Sequence, residues 1–214
     1  MKLYGRRSSI NVQKALWCLA ELGLEERRDF ERINAGLQFG VNDTPEYLAL
    51  NPNGLVPVLV DGAAVLWESN TIVRYLASSR GNESLLPADP AVRAGIEKWM
   101  DWQLGTLWAT LRVAFLGLTR TPENERNYDT IRNSHRHAAH LLGIANAALQ
   151  EQPYLALDRF TVADIGVALA ALRWFVLADR FPEQLDTSPD MPALQSWLKN
   201  VTQRPAFGAA RIGQ

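Results

Sequence analysis

The chain has 214 residues, 47% of them apolar and 21% charged, enough to bury one large core or two modest ones. Its formal net charge of −1 gives no electrostatic case for nucleic acid or an anionic membrane as partner. One cysteine, Cys18, excludes an internal disulfide, and no leader-like segment or membrane-length apolar run is evident, so a cytoplasmic protein is expected.

Lys2-Leu3-Tyr4 reads as a short strand, followed by the polar loop Gly5-Arg6-Arg7-Ser8-Ser9. Val12, Ala15, Leu16, Leu19 and Leu22 then share one helical stripe, which Gly23 ends. Phe30 to Ile33 is a second strand, and Asn34 to Leu50 is loop with a short helix around Pro45 to Leu48. The run Val56 to Val60 is bounded by Asn51-Pro52-Asn53-Gly54 before it and Asp61-Gly62 after it. Asp-Gly between two apolar runs marks a hairpin. Glu68-Ser69 then opens a helix on which Ile72, Val73, Leu76 and Ala77 repeat. This order of elements fits a small α/β domain of thioredoxin type, its first two strands parallel and its last two antiparallel.

The character changes after Ala77. Ser78 to Ser84 is polar and reads as a linker, and everything beyond Pro90 reads as helix: 91–118, 123–150, 162–178, and a last helix marked by Leu194, Trp197, Leu198 and Val201. The expected organisation is α/β plus all-α, with domains at 1–78 and 90–214 joined by a linker at 79–89. Thr161-Val162-Ala163-Asp164 has the spacing of a capping box ahead of an apolar helix.

Two segments resemble one family. Asn51-Pro52-Asn53-Gly54-Leu55-Val56-Pro57-Val58-Leu59, followed by Glu68-Ser69 and a helix ending Arg74-Tyr75-Leu76, resembles the glutathione-binding segment of the cytosolic glutathione transferases. Thr161-x-x-Asp164 resembles the capping box of that family's helical domain, and Arg204-Pro205-Ala206-Phe207 the segment that closes it. The resemblance implies an N-terminal thioredoxin-like domain, a C-terminal helical-bundle domain, a homodimer, glutathione as co-substrate and no metal.

Conjugation needs the glutathione thiolate, and a hydroxyl donor at a helix N-terminus stabilises that anion. Serine-type members carry Ser-x-Pro-Cys-Arg at the first turn. Here Ser9 takes the place of the serine and Asn11 that of the proline, while Pro-Cys-Arg is absent. Ser9 is therefore the expected thiolate donor, with Asn11 and Ser8 as alternatives. The plainer reading is that these residues cap the first helix. Tyr4 lies inside the strand and reads as core.

By the same resemblance, Val56 and Pro57 present the backbone to the cysteinyl part of glutathione, and Glu68 with Ser69 holds the γ-glutamyl end. The Val56-Pro57 bond is either trans, starting an edge strand, or cis, turning the Val56 backbone outward. Glu68 has the alternative of a solvated surface acid. Gln38 and Asn53 are donors for the glycyl carboxylate.

The electrophile pocket is expected on the first long helix, where Trp108, Arg112 and Phe115 follow helical spacing; a plain core stripe is the other reading. A bacterial subgroup with a similar Gly-Arg-x-x-Ser-x-Asn-Val opening and a Glu-Lys-Trp-Met-Asp-Trp run is associated with small halogenated acids. Cys18, mid-helix and outside any Cys-x-x-Cys, reads as a packed residue. His135, His137 and His140 cannot share one helix face at 100° per residue and are no metal site. The alternatives to conjugation are glutathione-dependent peroxide or disulfide reduction, and a non-catalytic interaction module.

Overall fold

The computed structural model describes residues 1–211, so the last three residues of the expected 90–214 domain lie outside the described residues. Two compact units divide the chain: Met1–Ala88 together with the segment from Arg204, and Asp89–Gln203.

In the first unit, β1 (Lys2–Tyr4), β2 (Glu31–Ile33), β3 (Val58–Asp61) and β4 (Ala64–Trp67) form one sheet in the order β2-β1-β3-β4. β1 runs parallel to β2, with Leu3 beside Arg32, and antiparallel to β3, with Leu3 beside Leu59. β3 and β4 form the expected hairpin, and Gly62 between them has a φ of 59°, the left-handed geometry a tight hairpin needs. Helices α1 (Ile10–Glu21) and α3 (Ser69–Ser79) supply the apolar cover, and α2 (Pro45–Leu50) is the short helix of the loop. Val12, Ala15, Leu16 and Leu19 of α1 and Ile72, Val73, Leu76 and Ala77 of α3 are all buried.

Gly23 ends α1 as its position implies. Its φ is 71°, its N–H donates to the Ala20 carbonyl at 3.0 Å, and the Leu24 N–H reaches back to Leu19 at 2.9 Å. Those two bonds make a Schellman motif.

The segment that the resemblance places at the close of the helical domain packs instead, from Arg204, against α1. Phe207 sits edge-on against Trp17 with ring centroids 4.9 Å apart, and Arg204 holds Glu21 through two bonds of 2.7 Å. An aromatic pair and a bidentate ion pair are enough to hold so short a segment.

The second unit is helical: α4 (Pro90–Trp102), α5 (Ala109–Thr119), α6 (Tyr128–Glu151), α7 (Val162–Arg180) and α8 (Pro192–Thr202). Caps explain the starts. Asp89 Oδ1 accepts from Ala91 N and Val92 N, and Asn127 Oδ1 accepts from Thr130 N. Thr161 and Asp164 form the complete capping box of α7. α7 is apolar on every side because it is the core of the unit, buried almost continuously from Val162 to Ala171.

The expected single helix over 91–118 is α4 and α5 joined by a π-helical turn, Gln103–Trp108. Gln103 has 0% exposure there, and its amide lies where a Cβ on Gly166 of α7 would come within 2.9 Å. A bulky side chain and a glycine interlock at this point, and a wider turn accommodates them. No helix of the described residues is long and apolar enough to cross a membrane.

Candidate active site

The chain enters α1 through Ser9, whose extended backbone makes it the N-cap. Ser9 N donates to the Arg6 carbonyl at 3.1 Å, and its own carbonyl accepts the first helical bond from Gln13 N at 2.9 Å. The side chain, however, makes no capping hydrogen bond. The plainer reading of Ser9 as a side-chain cap is therefore not realised, and its hydroxyl stands at the helix mouth. Ser8 is exposed. Asn11, in the first turn, accepts on Oδ1 from Ser69 Oγ at 3.2 Å.

That bond ties the first helix to the corner between β4 and α3. Glu68, the N-cap of α3, has φ 69° and ψ 113°, a conformation that a side chain with a Cβ rarely adopts and that costs on the order of 1–3 kcal/mol. Such a residue persists only where its surroundings over-determine it. The Glu68 side chain is exposed, whereas Ser69 and Asn70 are buried. Beneath them lies Lys14, 1% exposed, with Nζ donating to Asn70 Oδ1 at 3.2 Å and to Ser69 Oγ at 3.4 Å. Asn11, Lys14, Ser69 and Asn70 thus form one polar cluster at the N-termini of two helices, where free N–H groups and helix dipoles favour an anion.

Lys14 and Asn70 were not legible as site residues. A lysine in an amphipathic helix reads as solvated, and Asn70 reads as an ordinary first-turn residue. The one available signal was the placement of Lys14 one turn beyond Asn11, on the same face.

The Val56-Pro57 bond is cis, the second of the two alternatives. β3 starts only at Val58, so Val56 precedes the paired strand. The loop before it is braced: Tyr47 Oη donates to the Leu55 carbonyl at 2.6 Å and Asn51 Nδ2 at 2.8 Å, while Asn42 Nδ2 donates to the Gly54 carbonyl at 2.7 Å. Burial, aided by Tyr4, pushes the Tyr47 phenol up to about 12, so it stays a donor at neutral pH. Asn53 is exposed, its N and Nδ2 both donating to the Oδ1 of buried Asn51. Gln38 is exposed on the 3-10 turn Leu37–Phe39. Tyr4 packs edge-on against Tyr47 beside Val58 and Val56, in the core.

Cys18 is fully buried, and burial reinforced by Glu21 pushes its thiol up to about 12. A thiol held protonated in this way is no nucleophile.

In the second unit, the rings of Trp108 and Phe115 lie 5.5 Å apart between centroids. The cation against them is Arg173 of α7, 5.8 Å from the Trp108 ring and 5.7 Å from the Phe115 ring. Desolvation pushes the Arg173 guanidinium down to about 10, so it remains charged at neutral pH. Arg112 is exposed, about 40° around the helix from Trp108 at 100° per residue. Sequence spacing could bring out the aromatic pair but not Arg173, which comes from a distant helix.

A thioredoxin-type sheet thus carries a serine at the mouth of its first helix and an anion-favouring corner in the same unit, chemistry suited to a thiol and a carboxylate. Family descriptions agree: the glutathione S-transferase N-terminal domain matches residues 1–78, and the glutathione S-transferase C-terminal domain matches residues 107–205. The chain is 41% identical over 206 residues to glutathione S-transferase GstB of Escherichia coli (strain K12), covering 95% of this chain and 94% of that one. It is 33% identical over 211 residues to glutathione S-transferase 3 of Zea mays, covering 97% and 91%. Among solved structures, the theta class glutathione S-transferase of Xanthomonas axonopodis pv. citri with glutathione bound has a TM-score of 0.89 at 43% identity, covering 100% of this chain and 97% of that one. The chain belongs to the glutathione S-transferase family.

Proposed function

We propose that this chain conjugates glutathione to small electrophiles, as a cytoplasmic homodimer whose glutathione domain spans 1–78 and whose electrophile side lies in 90–214. The observation that carries the reading is the Ser9 hydroxyl, left out of capping at the N-terminus of α1, beside the Asn11–Ser69 bond. Ser9 donates to the glutathione sulfur, and Asn11 and Ser8 complete the polar mouth around it. The thiol proton passes to water, the sulfur bonds to the electrophilic carbon, and in a substitution the leaving group departs with its electron pair. Thiolate stabilisation and proximity supply the rate enhancement.

Val56, presented by the Val56-Pro57 bond, pairs with the cysteinyl backbone. Ser69 and the first N–H groups of α3 meet the γ-glutamyl carboxylate, and Glu68 draws the ammonium. Gln38 and Asn53 serve the glycyl carboxylate. Trp108 and Phe115 form the electrophile platform, and the charged Arg173 against them, with Arg112 on the flank, favours acidic electrophiles such as small halogenated acids.

The test is retention on immobilised glutathione followed by turnover of aryl halides, haloacids and peroxides. Ser9→Ala is expected to retain the fold, lower turnover by about 10²–10³ as loss of one anion-stabilising donor does, and raise the apparent pKa of bound glutathione. An unchanged pH profile in Ser9→Ala beside an inactive Asn11→Ala moves the role to Asn11. A parent protein that passes glutathione unretained refutes the reading.

A further inference from the structure

The cluster under the α3 corner contains a cation that the proposed chemistry does not yet use. Lys14 is 1% exposed. Burying an ammonium is costly unless hydrogen bonds meet it, and Lys14 Nζ donates into the corner itself, to Ser69 Oγ at 3.4 Å and to Asn70 Oδ1 at 3.2 Å. An apolar residue at this position in α1 would pack without that cost. A cation kept there acts on whatever the corner holds.

We propose that Lys14 is a positioning residue for glutathione, acting through Ser69 on the γ-glutamyl carboxylate; the inference rests on the proposed function. The geometry gives the mechanism. An ammonium has protons to donate and no lone pair to accept with, so Lys14 Nζ occupies a lone pair of Ser69 Oγ. The serine proton must then point away, and it points to Asn11 Oδ1 at 3.2 Å. Ser69 is thereby held as a donor facing the helix mouth, polarised by the charge behind it.

A carboxylate arriving at the N-terminus of α3 accepts the Ser69 hydrogen bond after a small rotation of the hydroxyl, which frees Asn11 Oδ1. Lys14 adds a buried positive charge to the helix N–H groups, where screening by water is weak. Its second bond, to Asn70 Oδ1, fixes the neighbouring first-turn side chain. One lysine therefore holds both polar first-turn side chains of the α3 corner, on the γ-glutamyl side of the site.

The probe that isolates this role is a glutathione analogue lacking the γ-glutamyl α-carboxylate, γ-aminobutyryl-cysteinyl-glycine. The parent should bind glutathione more tightly than the analogue. In Lys14→Met the KM for glutathione should rise roughly ten- to a hundredfold, as expected for a hydrogen-bonded charge, with kcat at saturating glutathione nearly unchanged. Affinity for the analogue should stay at the parent's level. On a Ser69→Ala background the same substitution should cost much less, because the residue through which it acts is gone.

Lys14→Arg, which restores the cation, should recover part of the loss. If Lys14→Met does not fold, Lys14→Gln keeps a donor of similar length without the charge and carries the same comparison. Equal weakening of glutathione and analogue assigns Lys14 a merely structural role and overturns the proposal, as does a variant that binds glutathione like the parent. Failure of the underlying reading looks different: the parent itself then binds neither ligand.

Discussion

Asp164 has 0% exposure and accepts from Thr161 N at 2.9 Å, Leu155 N at 3.1 Å and Trp197 Nε1 at 3.0 Å. Burial nevertheless outweighs these bonds and pushes its carboxyl up to about 6 from an ordinary 3.8. The folded protein thus binds this proton more tightly than the unfolded chain. The resulting stabilisation is complete below about 3.8 and lost as pH rises through about 6. In chemical denaturation, the stability of the parent relative to Asp164→Asn is expected to fall between pH 4 and 7; a rise would show that the anion is the favoured buried form. Asp164→Ala, which leaves four donors (Thr161 N and Oγ1, Leu155 N and Trp197 Nε1) without their acceptor, is expected to cost roughly 3 kcal/mol or more. The cap itself was legible because Thr161 and Asp164 are three residues apart. The Lys14–Ser69 contact was not, because 55 residues separate its partners and nothing local betrays it. The same holds for Arg173: spacing on one helix displays Trp108 and Phe115, but the guanidinium beside them comes from another helix.

Elements announced themselves where punctuation was chemical. Gly23 closes α1, Asp61-Gly62 turns the hairpin, and Thr161 opens α7, each at the expected place. The π-helical turn at Gln103–Trp108 was hidden, since the apolar spacing through 91–118 is helical throughout and the close neighbour of Gln103 at this turn, Gly166, comes from another helix. Gly166→Ala should therefore push a methyl into the Gln103 amide and destabilise the second unit by about 1–3 kcal/mol. The pair Gly166→Ala with Gln103→Ala should recover part of that loss in thermal unfolding, and two strictly additive losses would show that the contact does not set the turn. The segment from Arg204 was also misplaced by sequence. Its aromatic, Phe207, is buried against Trp17, a contact that no local pattern predicts. It covers α1 on a further side, beyond the apolar stripe that meets α3.

At the scale of the whole molecule, the thioredoxin-like and helical units were legible because their element order and hydrophobic period differ so sharply, whereas a second copy leaves only an indirect mark. β4 is an edge of the sheet, and its outer side chains Val65 and Trp67 are 42% and 41% exposed. An edge strand bearing a tryptophan and a valine invites pairing or aggregation unless something covers it. A dimer as proposed would supply that cover, and an interface of this kind buries on the order of 1,200 Å² or more. The charge pattern permits it, since a net charge of −1 sets up little repulsion between copies. Sedimentation at micromolar concentration is expected to give a species of twice the 23.9 kDa chain mass. Trp67→Glu, a charge on the exposed face of β4, should shift that species toward the monomer while far-ultraviolet circular dichroism stays unchanged. Glutathione binding by the resulting monomer then separates the two roles of β4, since the strand leads directly into Glu68 and Ser69. A parent that sediments at the chain mass, stable to dilution and indifferent to glutathione, refutes the dimer.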